Sequence, residues 1–290
     1  MRSLLVALLA AFAVVVAACG SSDTTTSGSA SSATTAAAKP AAATCDKASL
    51  DLKSSGTLTV GTDKPAYPPY FEDDKPSNGK GFESAVAYAV AKQLGFAPTE
   101  VKWIVVPFNS SYAPGDKKFD FDINQISITP KRAQHVDFSS PYFTAPQAVV
   151  AREGSPAASA TSLADLAKTK LGVQVGTTSL DAVNASIKPS SQPQVFNDSN
   201  DTVRALKIKR VDAIVVDLPT AFYLTAAEIP KSKIVGQFQA PGGDRWGLLL
   251  QKGSKLTSCV NQAIAKLSSA GELDRLQKQW MGGDAAPELS

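Results

Sequence analysis

Apolar and polar positions along this chain fall into two alternating rhythms. Short apolar runs at 57–60, 101–106, 121–123, 171–175 and 213–216 read as buried strands. Each is followed almost at once by a polar or aromatic group: Asp63, Phe108, the stretch Asn124 to Ser127, Thr177-Thr178, and Asp217. Between the first two runs, Phe82, Ala85, Val86, Ala89, Val90 and Leu94 recur at helical spacing, and Gly95 supplies a left-handed stop, so residues 81–94 are predicted to be an amphipathic helix. Strand, helix and strand together make a βαβ unit. In open α/β sheets small ligands occupy the crevice beyond the carboxyl ends of the strands, so five such ends point to one shared cleft.

The rest of the chain extends this reading. Thr129-Pro130 predicts an N-cap and first helical position for a short helix to His135, and Pro141 and Pro146 bracket an extended stretch. A second α/β series follows, with helices near 163–167, 179–186 and 202–209, the last capped by Asp201, and closing helices at 256–267 and 273–280. The expected organisation is two α/β lobes joined by two crossing strands, lobe 1 from 45–147 and 240–290, lobe 2 from 148–239. That geometry suits closure about a hinge.

The residues at the strand ends match the needs of a small zwitterion. A carboxylate calls for a guanidinium and helix-start N–H groups, and an ammonium calls for a carboxylate and hydroxyls. Arg132, in the first turn after the Thr129 cap, can swing back toward Ser127. Thr177 and Thr178 open a helix in the other lobe, and Asp217 is the ammonium partner, with capping of the helix after Pro219 as its alternative. Tyr67, Tyr70 and Phe71 either line the cleft or cover lobe 1. Trp246 is placed at the cleft rim, and Trp103 and Trp280 in the core. His135 is read as structural, Glu72-Asp73-Asp74 as a solvated loop, and Glu83 either joins Asp63 in facing a cationic side chain or caps its helix.

The N-terminus adds location. Arg2, an apolar run over 4–17 and Val16-Ala17-Ala18-Cys19 describe a secretory leader over 1–18, and the last four residues resemble the bacterial lipobox, with Cys19 the lipidated residue. Residues 19–44 are rich in Ser, Thr and Ala and carry only Asp23 and Lys39 as charges, which predicts a flexible tether. With Cys19 assigned, Cys45 and Cys259 pair as one disulfide or stand as two unrelated buried thiols. A net charge of +3 on 29 basic and 26 acidic residues, without a basic stripe, argues against nucleic acid as a partner. No Ser-His-Asp set and no metal-ligand cluster is evident, so no cofactor, metal or enzymatic activity is expected.

Several motifs occur in order: Gly61-Thr62-Asp63 with Tyr67-Pro68-Pro69-Tyr70, Gly81-Phe82-Glu83, Ser127 through Arg132, Val136 through Tyr142, Gly176-Thr177-Thr178, and Val211 through Asp217. Together they resemble the polar amino-acid solute-binding proteins of bacterial ABC importers, family 3 of the extracellular solute-binding proteins, in lipoprotein form. The resemblance implies the periplasmic-binding-protein type II fold. It implies a ligand carboxylate on Arg132, assisted by Ser127 and Thr178, and an ammonium on Asp217 and Ser127, with a backbone carbonyl from Gln125. Asp63 would face the ligand side chain, and Tyr67 and Phe108 would sandwich its aliphatic part, with Tyr70 the alternative stacking ring. It further implies a monomer, tethered by lipid to the outer face of the cytoplasmic membrane, that hands a polar amino acid to a permease. An enzyme of the same fold such as a dehydratase, or a sensor working with a membrane signalling partner, are the alternatives.

Overall fold

The computed structural model describes residues 44–282 and 285–290. The leader over 1–18, the lipidation site Cys19 and the tether up to residue 43 lie outside the described residues. The chain enters a first sheet as β1 (Leu58–Thr62), passes through α1 (Phe82–Gln93) and returns in parallel as β2 (Val101–Val105), with Leu58 opposite Val101. A single turn, α2 (Phe108–Ser111), precedes β3 (Phe121–Asp122), and a second, α3 (Pro130–Ala133), precedes the long β4 (Val136–Ala145). The second sheet begins at β5 (Gln147–Arg152) and continues through α4 (Leu163–Leu166), β6 (Leu171–Gln174), α5 (Thr178–Ala182), β7 (Gln194–Phe196), α6 (Ser199–Lys207), β8 (Ala213–Asp217), α7 (Leu218–Tyr223) and β9 (Ser232–Phe238). Then β10 (Asp244–Gln251) returns to the first sheet, and α8 (Leu256–Ser269) and α9 (Glu272–Trp280) pack on it.

The strand orders are β2-β1-β3-β10-β4 and β7-β6-β8-β5-β9, each with an antiparallel strand set into a parallel core. Two-residue periodicity explains the continuous apolar strands of the second sheet. Val149, Val173 and Val215 face one buried cluster while Ala148, Val150 and Ile214 face another, so helices cover both faces. In the first lobe Phe82, Val86 and Val90 of α1 join Leu58 and Val60 of the sheet, and Val260 and Ile264 of α8 close the same core. Cys45 and Cys259 are joined by a disulfide that fastens the start of this lobe to α8.

Three expectations change here. The helix expected after an Asp201 cap starts earlier, because Asp198 is the N-cap and its carboxylate accepts the Asp201 N–H at 2.8 Å. Trp246 is fully buried among Tyr70, Tyr142 and Phe143, since its side of β10 faces the apolar interior rather than the rim. Residues 285–290, expected with lobe 1, pack on the second sheet. The Gln237 N–H donates to the Pro287 carbonyl at 2.7 Å, the Leu289 N–H to the Gln237 carbonyl at 2.8 Å, and Leu289 sits in the cluster with Val235 and Phe238. Gly236 makes this possible, because a Cβ there would lie 2.6 Å from both Leu289 Cγ and the Pro287 carbonyl oxygen.

Candidate functional site

The two sheets aim their strand ends at one cleft. Arg132 enters it from the first lobe. The Thr129 hydroxyl caps α3 by accepting the Arg132 N–H at 3.2 Å, and Pro130 presets the first helical position, so the side chain is thrown back over the 124–127 loop. Its guanidinium, with the residue only 6 % exposed, donates to the Ser127 carbonyl at 2.8 Å and to the Gly176 carbonyl of the second lobe at 2.9 Å. It also lies over the rings of Tyr112 and Phe108, at 4.7 and 5.3 Å. Gly176 has a positive φ of 73°, and a side chain there would collide with the Tyr112 hydroxyl. The close approach of the two lobes at this point therefore requires glycine.

From the second lobe, Thr177 caps α5. Its hydroxyl accepts the Leu180 N–H at 3.2 Å and donates to the Gln174 carbonyl at 2.9 Å, so it stabilises the turn while lining the cleft. Thr178 is free to reach across, and its Oγ1 lies 3.2 Å from the Ser127 Oγ. Asp217 is the last residue of β8 and the N-cap position of α7, yet its side chain caps nothing. Instead Oδ1 accepts from the Gln147 amide at 2.7 Å, and the same amide donates to Asp244 Oδ2 at 2.8 Å. Burial, reinforced by the charge of Asp244, pushes the Asp217 carboxyl up to about 8.

Tyr67, Phe108, Gln125, Ser127, Arg132, Thr177, Thr178 and Asp217 all line the cleft. Asp63 does not. Its carboxylate accepts the Lys64 N–H at 2.7 Å and the Phe108 N–H at 3.0 Å, tying β1 to the first turn of α2. Glu83 is also turned away. Fully buried, it accepts from the Gln125 N–H at 2.7 Å, from the Gln125 side-chain amide and from the Tyr142 hydroxyl, and burial raises it to about 7 against those bonds. These bonds hold Gln125 in a left-handed conformation, φ 48°.

The aromatic pair also differs from the expected one. Phe108 supports Arg132, and the ring facing Tyr67 is Tyr223 on α7, 5.9 Å between centroids and tilted by 42°. Tyr70, 2 % exposed, instead bonds Thr220 across the lobes at 2.9 Å. Sequence reasoning missed Tyr112, Gln147, Thr220, Tyr223 and Asp244. Only Gln147 carried a signal, a polar residue directly after Pro146 at the first crossing.

This arrangement, two sheets of mixed direction sharing one polar cleft at the crossing strands, defines a type II periplasmic binding-protein fold of the amino-acid-binding kind. The profile of the bacterial extracellular solute-binding proteins, family 3, matches residues 58–283, and the chain belongs to that family. It is 30 % identical over 241 residues to the L-cystine-binding protein TcyJ of Escherichia coli K12, covering 80 % of this chain and 85 % of TcyJ. An ancestral arginine-binding protein bound to arginine superposes with a TM-score of 0.65 at 35 % identity, over 78 % of this chain and 98 % of that one. The ancestral amino-acid-binding protein AncCDT-1, a precursor of cyclohexadienyl dehydratase, superposes with a TM-score of 0.63 at 31 % identity, over 78 % of this chain and 95 % of that one. These relatives are binding proteins rather than enzymes.

Proposed function

We propose that this chain captures a polar amino acid by closing its two lobes and delivers it to an ABC importer permease. In this reading it works as a monomer held by a lipid on Cys19 at the outer face of the cytoplasmic membrane. The observation that carries the reading is the pairing of Arg132 and Asp217, a guanidinium from one lobe and a carboxyl from the other, both lining one cleft. Arg132 takes the ligand carboxylate together with Ser127 and Thr178. Asp217 and Ser127 take the ammonium, with a carbonyl from Gln125. The side chain lies beside Tyr67 and Tyr223.

Calorimetric titration of the purified, unfolded and refolded protein with the twenty amino acids tests this. Sub-micromolar binding of one or a few, with no turnover, is the expected result. Silence across the panel overturns it. Labelling with a fatty-acid probe in a bacterial host, lost in Cys19→Ala, tests the anchor separately.

A further inference from the structure

Asp217 ends β8 and Asp244 begins β10, 27 residues later, yet one amide holds both. Gln147, fully buried, spends its two N–H groups on them at 2.7 and 2.8 Å. The cluster is short of positive charge. Asp244 is 1 % exposed, and no ion pair reaches either carboxyl among the described residues. Arg132 is the cation that acts on Asp217, and its hydrogen bonds go to the Ser127 and Gly176 carbonyls instead. Asp244 Oδ1 and Gln147 Oε1 are buried acceptors without a donor among the described residues. The remaining titratable groups that act on Asp217 are Glu83, whose charge adds to that of Asp244, and Tyr70, a neutral phenol. Two buried carboxylates with one guanidinium turned elsewhere cannot both stay charged cheaply.

We propose that in the free cleft Asp217 carries a proton, kept there by Asp244 across the Gln147 amide, and releases it to solvent as the ligand ammonium seats on Asp217. The ammonium supplies the cation the cluster lacks, so proton and ligand compete for one carboxylate. This rests on the amino-acid reading above and adds a consequence that reading alone does not have: capture is coupled to external pH. Below the range in which free Asp217 ionises, affinity rises about tenfold per pH unit, because one proton leaves for each ligand bound, and above that range it levels off. Free Asp217 titrates near pH 8.

The experiment is calorimetry of the full protein at pH 6.5 in buffers of low and high ionisation heat, with L-arginine, L-glutamine and L-cystine as probes, followed by affinity measured from pH 6 to 9. Close to one proton should be released per probe bound, the pH slope should flatten above pH 8, and infrared difference spectra should show loss of a neutral carboxyl band. Asp244→Asn should reduce both the release and the slope, a change that merely weaker packing does not produce. If that variant fails to fold, the wild-type release and slope decide alone. Firm binding with no proton release and a flat pH profile overturns the proposal and leaves the amino-acid reading intact. No binding by these probes or by any other of the twenty amino acids at any pH overturns both.

Discussion

Arg132 of the first lobe donates across the cleft to the Gly176 carbonyl of the second, at 2.9 Å. One side chain therefore does two things: it presents a buried guanidinium to the cleft and it bonds the lobes together. Arg132→Ala should cost about 2–5 kcal/mol of binding, because a desolvated charged partner is lost. Arg132→Lys should cost roughly half as much, since a point charge remains but the planar fork and its stacking on Tyr112 do not. Calorimetry with the best amino acid of the panel measures both, and near-native affinity in the alanine variant would remove Arg132 from the site.

Tyr67 and Tyr70 separate two kinds of aromatic contribution. Tyr67→Ala strips a wall from the cleft and should lower affinity by about 1 kcal/mol or more without moving the melting temperature. Tyr70→Phe keeps the edge-on packing against Trp246, 5.6 Å between centroids, and deletes only the hydroxyl bond to Thr220. It should weaken binding by about 1 kcal/mol through a less favoured closed form. A lowered melting temperature with unchanged affinity in Tyr67→Ala would show that its ring belongs to the core rather than to the cleft wall.

The contrast between Arg132 and Asp63 shows what local sequence can and cannot convey. Arg132 sits behind a Thr-Pro start signal that sets its helix and direction within four residues, so its entry into the cleft was legible. A carboxylate after a strand, as at Asp63, serves a ligand or a helix start equally well, and only the return of the chain to Phe108 decides. Asp198 and Asp201 are both acceptable caps three residues apart, and the earlier one wins by accepting the later one's N–H. Strands and helices were readable from period, since burial follows period. The Gln147 clip was not, because Asp217 and Asp244 meet only where two crossing strands run side by side.

The tail over 285–290 is a further tie that polarity pattern alone hides, and it should matter to stability. Leu289, 6 % exposed, completes the second-lobe core. Leu289→Ala should cost about 2–4 kcal/mol, which for a domain of this size lowers the melting temperature by several degrees. Gly236→Val should match deletion of 285–290, because the added side chain occupies the tail's seat. Combining that substitution with the deletion should add little, since both remove the same contact. Additive losses in differential scanning would mean that the tail contributes nothing through Gly236.

Buried acids in the cleft wall should make the ligand-free protein more stable in mild acid than at neutral pH. Glu83 ordinarily titrates at 4.5 and is pushed up to about 7 here, so the folded state holds its proton more tightly than the unfolded chain does. The stability this supplies is complete below 4.5 and is lost as pH climbs through 7, a change of about 3 kcal/mol at most. Asp217, raised from 3.8 to about 8, acts in the same direction over a window reaching further into the alkaline range. The lowered carboxyls of Glu100 and Asp165 oppose this, but they lie in solvent and are screened. Melting followed from pH 5 to 8 should therefore fall with rising pH. In Glu83→Gln the slope should shrink below pH 7, because one oxygen still accepts from Tyr142 or the Gln125 N–H, the Gln125 amide can turn to accept in its place, and nothing at that position titrates. A slope below pH 7 that is unchanged in Glu83→Gln would show that Glu83 is ionised in the fold, and that its three donors outweigh its burial.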